Sequence, residues 1–295
     1  MSEHPPTHVR LADQWQDYEC LDAGDGEKLE RWGTVILRRP DPQALWPKSA
    51  TELRWNSPHA HYYRSAKGGG AWRFLKPLPK SWTIGYRNLR FKIAPTDFKH
   101  TGLFPEQASN WDWMAQQLET RPEARVLNLF AYTGGATLAC AQAGAHEVVH
   151  VDASKGMIQW AKENQQLSQL SDSTIRFLVD DALKFVEREQ RRGRRYHGIV
   201  LDPPSYGRGP NNELWKLEDS LAPLLGACAQ LLADDAAFFL VNAYTTGLSH
   251  LVLNNLLHTL FSARSAHIET GELGLPLSAR ALILPCGIYG RVSFK

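Results

Sequence analysis

Several things are scarce in this 295-residue chain, and each scarcity removes a class of protein. No apolar run approaches the roughly 18 residues that cross a bilayer as a helix. Residues 1–6 are polar and proline-containing, unlike a secretory leader. The expectation is a cytoplasmic protein with no membrane partner. Only four cysteines occur, Cys20, Cys140, Cys228 and Cys286, far apart and without a C-x-x-C pair. That spacing argues against a disulfide framework or a zinc knuckle, and the thiols read as buried small side chains. His59 and His61 lack a third ligand at metal-site spacing, so no metal is expected. No internal repeat is visible, and the G-x-G-x-x-G spacing of a pyrophosphate-binding dinucleotide site is missing. Length alone provides for one or two domains with cores of their own.

Acidic residues are scarce in one stretch. Residues 31–99 carry fourteen Lys/Arg against Asp41, Glu52 and Asp97, a net of +11 in a chain whose total is only +2. Eleven aromatic residues between Trp32 and Phe98 are interleaved with these cations. Such a mixture can hold phosphates while stacking bases. It also suits a small β domain with an aromatic core and solvated charges, and the two readings are compatible. The first hundred residues lack a sustained helical period. They offer short strand-like runs, as at 33–37 and 89–94, with Gly68, Gly69 and Gly70 as a loop tip. Residues 1–100 are therefore expected to form a small β-rich domain and residues 101–295 a second one.

From about residue 104 the texture becomes apolar strands alternating with helices, the pattern of a mostly parallel sheet covered on both faces. Residues 125–130 (RVLNLF) predict a first buried strand and 136–143 the helix after it. A second strand is expected at 147–151 and a helix from about Ser154, with Ala153, Met157, Ile158 and Ala161 on one face. Residues 174–179, 198–201 and 236–241 supply three more strands. The runs at 265–269 and 281–285 have no helix between them and suit an antiparallel closing pair. The expected fold class is α/β, a Rossmann-like doubly wound, mostly parallel seven-stranded sheet with an antiparallel closing strand.

In such sheets ligands bind outside the carboxyl ends of the strands. Four segments sit there. The run from Asn128 through Phe130, Tyr132 and Thr133 enters Gly134-Gly135 and opens a helix, whose N-terminus favours an anionic group; a tight turn would also use those glycines. Asp152 ends the second strand, where a carboxylate can accept both hydroxyls of a ribose or cap the helix that follows. Of Asp180 and Asp181, one is placed for an adenine amine and the other for capping or solvent, and Asp181 is the choice for the amine. Asp202-Pro203-Pro204-Ser205-Tyr206-Gly207 follows the 198–201 strand. Its two prolines fix φ and remove two donors, giving a rigid loop whose carbonyls need outside partners. Tyr206 adds an aromatic face.

These residues resemble the class I S-adenosylmethionine methyltransferases. Within that class they are similar to the bacterial large-subunit ribosomal RNA methyltransferases that carry a small domain before the catalytic one. VLNLFAYTGG at 126–135, VDAS at 151–154, DDALKF at 180–185 and DPPSYG at 202–207 carry the likeness, and TGLFPEQ at 101–107 looks like that family's TGxxxDQ segment. The resemblance implies S-adenosyl-L-methionine as cofactor. It places the methionine moiety near Phe130, Tyr132, Thr133, Gly134, Gly135 and Gln107, the ribose on Asp152 beside Ala153, and the adenine near Asp181. The reacting methyl falls beside Asp202, Pro203 and Tyr206, the expected catalytic set, with Asp202 also lining the cofactor. The partner implied is RNA.

The branch that methylates carbon-5 of cytosine has a cysteine near the end of the fifth strand, where this chain reads Asn242-Ala243-Tyr244-Thr245-Thr246. The 202–207 loop has none either, so transfer to a nitrogen or oxygen is favoured over covalent attack on a ring. For an exocyclic amine, Asp202 and the Pro203 carbonyl can accept hydrogens and orient the lone pair, while Tyr206 stacks an extruded base. The competing readings are a methyltransferase acting on a protein or small molecule, a non-catalytic RNA-binding protein of the same fold, and an NAD-dependent oxidoreductase. The last would require the absent glycine spacing.

Overall fold

The computed structural model describes residues 8–65, 69–208, 214–244 and 247–295. Residues 1–6, Gly68, Thr245 and Thr246, which enter the sequence reading, lie outside these. The chain divides into two compact units, one of residues 11–108 with 274–286, the other of residues 1–10, 109–273 and 287–295. Texture along the sequence draws a single boundary near residue 100; it has no means of showing that 274–286 rejoin the first unit.

Strand β1 (Val9–Leu11) belongs to the large sheet and precedes the smaller unit. In the smaller unit, β2 (Tyr18–Gly24), β3 (Glu27–Trp32), β4 (Val35–Pro40), β5 (Ala60–Arg64) and β6 (Gly70–Phe74) form a five-stranded sheet in that order. β7 (Trp82–Tyr86) and β8 (Leu89–Ile93) make a separate antiparallel hairpin. Asp25 and Gly26 both take positive φ, the conformation an Asp-Gly hairpin turn needs between β2 and β3. Gly33, at φ 64, turns β3 into β4, so the strand expected at 33–37 begins at Val35 instead.

The interior of this sheet includes charge. Glu30 is fully buried and takes Nε and Nη2 of Arg39 at 2.6 and 2.8 Å and the hydroxyl of Tyr18 at 2.8 Å. Lys28 lies 3.4 Å from Asp41 and 3.7 Å from Glu30. Burial pushes the Glu30 carboxyl up, but Arg39, Lys28 and the donated hydrogen bonds outweigh it and hold it at about 2. Beside this cluster Leu21, Leu29 and Trp55 form a small apolar core.

The larger unit continues with α1 (Ala108–Leu118), β9 (Arg125–Leu129), α2 (Gly135–Gln142), β10 (Glu147–Asp152), α3 (Lys155–Leu167), β11 (Ile175–Val179), α4 (Ala182–Arg191) and β12 (Gly198–Leu201). Then come β13 (Tyr206–Arg208), β14 (Leu214–Lys216), α5 (Leu217–Ala229), β15 (Phe238–Ala243), α6 (His250–Phe261), β16 (Ala266–Pro276) and β17 (Ile283–Phe294). The large sheet runs β1-β16-β17-β15-β12-β9-β10-β11. β9 to β12 and β15 pair in parallel, and β17 runs antiparallel to β15. This is the doubly wound sheet with its antiparallel closing strand, and β1 adds an eighth strand at the edge. The buried strands are apolar because helices cover both faces: Leu127, Leu129, Val149, Ile199, Leu201 and Phe239 share one core cluster with α4, α5 and α6.

Candidate active site

The first parallel strand of the sheet, β9, has β10 on one side and β12 on the other. The winding reverses between β9 and β12, and a crevice at their carboxyl ends is the place where such a sheet takes a ligand. Leu129 and Leu201 are register partners there, so the loops beginning at Phe130 and Asp202 leave the sheet side by side. The Asp202 amide donates to the Leu129 carbonyl at 3.4 Å.

The loop after β9 is conformationally costly. Phe130 and Tyr132 have φ of 56° and 50°, and Gly134 has φ of 90°. Left-handed non-glycine residues are uncommon and cost of order 1 kcal/mol or more each, and such strain concentrates at ligand sites. Here the loop is held from below. Asn164 donates to the Thr133 carbonyl at 2.9 Å, Ala131 donates to the Val151 carbonyl at 3.1 Å, and Asp152 takes the Tyr132 amide at 2.8 Å. Underneath, Thr137 Oγ1 receives the Asn128 amide at 2.9 Å and lies 2.8 Å from His150 Nδ1. Burial pushes His150 down to about 3, so this imidazole is neutral at working pH. A Cβ on Gly135 would come within 2.6 Å of the Trp111 ring, so only glycine lets α2 begin against that indole. No side chain caps α2, and Gly134 sits at its N-cap. The first-turn amides therefore suit an anionic ligand group.

Asp152 is half-buried at the end of β10. One carboxylate oxygen takes the Tyr132 amide and the other the Ser154 amide, each at 2.8 Å. Burial lifts its pKa despite these bonds. Each oxygen keeps a lone-pair direction, the acceptor set that a pair of vicinal hydroxyls requires. The helix cap is Ser154, not Asp152, for Ser154 Oγ receives the Met157 amide; Ala153 lies exposed between them. After β11, Asp181 is the N-cap of α4 and takes the Lys184 amide at 2.9 Å, while Asp180 pairs with Arg188 and accepts the Asp181 amide. Asp181 thus has one oxygen committed to its helix.

After β12, Asp202 is half-buried and Pro203 buried, while Pro204 and Ser205 are exposed and Tyr206 opens β13. β13 and β14 form a small antiparallel hairpin in which Tyr206 faces Lys216 and Gly207 faces Trp215. The sequence reading missed Trp215. Its indole N–H donates to the Pro204 carbonyl at 2.6 Å, and its ring lies 5.1 Å from that of Phe130. It therefore touches both loops of the crevice and gives the proline segment the outside donor its geometry calls for. The available signal was a tryptophan eleven residues beyond Pro204, which acquires meaning only once the hairpin forms.

Of the residues singled out in the sequence, the larger unit brings Phe130, Tyr132, Thr133, Gly134, Gly135, Asp152, Ala153, Asp181, Asp202, Pro203 and Tyr206 to the carboxyl ends of its strands. Gln107 belongs to the smaller unit, where it closes a buried 3-10 turn at Pro105–Gln107. His59 and His61 are engaged locally: His59 Nδ1 takes the Ile36 amide and His61 Nε2 lies 2.7 Å from Glu27. Among the described residues no cluster of His, Cys, Asp and Glu is arranged to hold a metal, and no helix is long and apolar enough to cross a membrane.

Comparison with known proteins adds to this geometry. The family described as S-adenosylmethionine-dependent methyltransferase matches residues 46–236. The chain is similar to a SAM-dependent methyltransferase from Agrobacterium tumefaciens of known structure, at 36% identity, over 99% of this chain and 95% of that one, with a TM-score of 0.93. A Streptococcus mutans chain described as a SAM-dependent methyltransferase aligns at 16% identity over 95% of this chain and 76% of its own, with a TM-score of 0.75, a likeness of fold. Ribosomal RNA large subunit methyltransferase K/L of Syntrophotalea carbinolica is 30% identical over 67% of this chain. The stretch matched is about a quarter of that protein, 26% of its length.

Proposed function

The chain belongs to the S-adenosylmethionine-dependent methyltransferase family, and from that premise we propose that it methylates a base of RNA at a nitrogen, without a cysteine nucleophile. Bound S-adenosylmethionine supplies an electrophilic methyl group on a sulfonium. The chain's own residues then have distinct tasks. Asp152 accepts the two ribose hydroxyls, Asp181 lies near the adenine amine, and the first-turn amides of α2, from Gly135 onward, would hold the amino-acid carboxylate. Asp202 and the Pro203 carbonyl accept the hydrogens of an exocyclic amine and turn its lone pair toward the crevice. Tyr206 stacks the base, and Trp215 fixes the Pro204 carbonyl so that the loop keeps its shape. Methyl transfer from a sulfonium depends chiefly on positioning, so a rigid acceptor loop beside a rigid donor loop is the arrangement the chemistry asks for.

The observation that carries this reading is the adjacency of the Phe130 and Asp202 loops at the switch between β9 and β12, joined by Trp215. The thiols support the absence of a covalent step. Cys140 and Cys228, the two in the larger unit, are fully buried; burial pushes Cys140 up to about 12 and raises Cys228 as well. A nucleophilic cysteine requires the opposite shift. The RNA acceptor is supported by the Syntrophotalea relative and by ribosomal RNA large subunit methyltransferase I of Aeromonas hydrophila, 36% identical over 43% of this chain and spanning 29% of that protein's length. Tritium transfer from labelled cofactor into fractionated RNA and protein from cells lacking the enzyme tests it. Label in RNA is expected. Label confined to protein or small molecules replaces RNA with the corresponding acceptor.

A further inference from the structure

Residues 31–99 carry a net of +11, but the folded unit distributes this charge unevenly. Acidic residues from just before that window hold four of its fourteen cations, and one also holds Arg280 of the same unit. Glu19 holds Arg31, Glu27 holds Arg38 and Lys48, Glu30 holds Arg39, and Asp22 holds Arg280. Within the window, Glu52 holds Arg54. Over residues 11–108 and 274–286 there are sixteen Lys/Arg against eleven Asp/Glu, a net of +5. The ion pairs involve β2, β3 and β4 and the segments beside them. At the far edge of the sheet, Arg64 on β5 and Arg73 on β6 have no carboxylate partner among the described residues.

The same edge exposes rings. Phe74 is 57% exposed and Phe98 66%. In the β5–β6 register Ala60 faces Phe74, Tyr62 faces Trp72 and Arg64 faces Gly70, so Arg64, Trp72 and Phe74 share one face of the sheet. The Trp72 indole donates to the carbonyls of Thr96 at 2.9 Å and Phe98 at 3.1 Å, which fastens the loop bearing Phe98 and Lys99 to that face. Asp97 is the carboxylate in that loop. Lys99 sits among cations: burial, with Lys28, Arg39 and Arg64 against Asp41, lowers its pKa to about 8. Crowded like charges beside open aromatic faces favour a ligand that is anionic and planar by turns.

We propose that the β5–β6 edge, through Arg64, Phe74, Phe98 and Lys99, is a docking surface for a single-stranded segment of the RNA substrate, with bases on the two rings and phosphates on the two cations. This rests on the reading of RNA as substrate and adds which part of the smaller unit grips it. The other basic strands of the sheet contribute little, because their charges are already spent on Glu19, Glu27 and Glu30.

The test uses the full chain and a fluorescein-labelled 20-nucleotide oligouridylate, followed by anisotropy across a salt series, with S-adenosylhomocysteine binding measured in parallel. Phe74→Ala with Phe98→Ala is expected to weaken RNA binding roughly fivefold or more per ring without changing the salt slope. Phe74→Tyr, which keeps a ring, retains affinity. Arg64→Ala lowers the magnitude of the slope by about 0.7, one single-strand phosphate. Arg31→Ala removes the same formal charge from a residue bonded to Glu19 and leaves RNA binding unchanged. S-adenosylhomocysteine affinity stays constant throughout. If the unaltered chain binds RNA with a salt slope and the Phe74, Phe98 and Arg64 variants bind equally well, the surface is wrong and the substrate reading stands. If the unaltered chain does not bind RNA and the tritium enters protein, the substrate reading falls and takes this proposal with it.

Discussion

The two units solve the problem of polar groups in opposite ways. In the larger unit the strands are mostly apolar, with Asn128, His150, Asn242 and Arg291 as buried exceptions, and the carboxylates to which the proposed function gives tasks, Asp152, Asp181 and Asp202, come at or just beyond strand ends. In the smaller unit Asp22 and Glu30 are fully buried, Glu30 against Arg39 and Lys28. A carboxylate at a strand end is available to a ligand; one inside a sheet is committed to its neighbours. Under the proposed function, the strand-end carboxylates of the first unit bear on reaction and the buried carboxylates of the second on folding, and substitutions can separate the two.

Asp202→Ala should show the largest effect, a fall in turnover of about 10²–10⁴-fold. Stability to urea and affinity for S-adenosylhomocysteine should change little, measured by denaturation and calorimetry. A large loss of stability instead would place Asp202 among the structural carboxylates and remove the contrast.

Glu30→Gln is the converse. It leaves Arg39 buried without a counter-charge, at a cost of about 3–5 kcal/mol, read as lost hydrogen-exchange protection across β2, β3 and β4. Binding of S-adenosylhomocysteine should survive wherever the chain stays folded. The same carboxyl sets a pH dependence. The unfolded chain takes up its proton near the ordinary value of 4.5, whereas the folded chain resists until about 2. The contribution is therefore whole above about 4.5 and lost as pH falls toward 2. Glu27, held at about 2 by Arg38, Lys48 and His61 against its burial, acts in the same direction. Glu30→Gln should flatten this acid limb, and an unchanged limb would show that the cluster does not govern it.

Asp152→Ala should weaken S-adenosylhomocysteine by about 1–3 kcal/mol through loss of charge-assisted hydrogen bonds. The effect should appear in calorimetry with turnover at saturation less affected. Smallest is Trp215→Phe, which keeps the ring against Phe130 and removes the N–H on Pro204, a change of about 0.5–1.5 kcal/mol. That loss should appear in kcat and leave cofactor affinity alone; an equal loss in both would mean that Trp215 serves the donor loop rather than the acceptor loop.

The same contrast explains what could be read from the sequence. β9 and β12 show as short apolar runs, and Gly134-Gly135 and the two prolines mark the loops after them, because a buried parallel strand and a constrained turn are local facts of composition. The ion pairs of the smaller unit are not local. The window that gave +11 begins at Arg31, one residue after Glu30, and so omits Glu19, Glu27 and Glu30, which hold four of its cations, and Asp22, which holds Arg280. β1, three residues long, has no periodicity to betray it. Trp215 reaches Pro204 only through the β13–β14 hairpin, and no spacing rule anticipates that bond.

Residues 274–286 complete the smaller unit from far along the chain. Ser278 and Ala279 donate backbone hydrogen bonds to Cys20 and Leu21, and Arg280 joins Asp22. On the ribosome this fixes an order of events. Strand β2 emerges early, but the backbone partners of Cys20 and Leu21 are made 258 residues later, tens of seconds at about 5–20 residues per second. For that interval the nascent smaller unit must wait with Asp22 lacking Arg280, while the whole parallel part of the large sheet is synthesised. The smaller unit is thus still open when the parallel strands of the larger one are complete, and a nascent chain stalled before residue 274 would lack residues 274–286 of the smaller unit and residues 287–295 of the larger one.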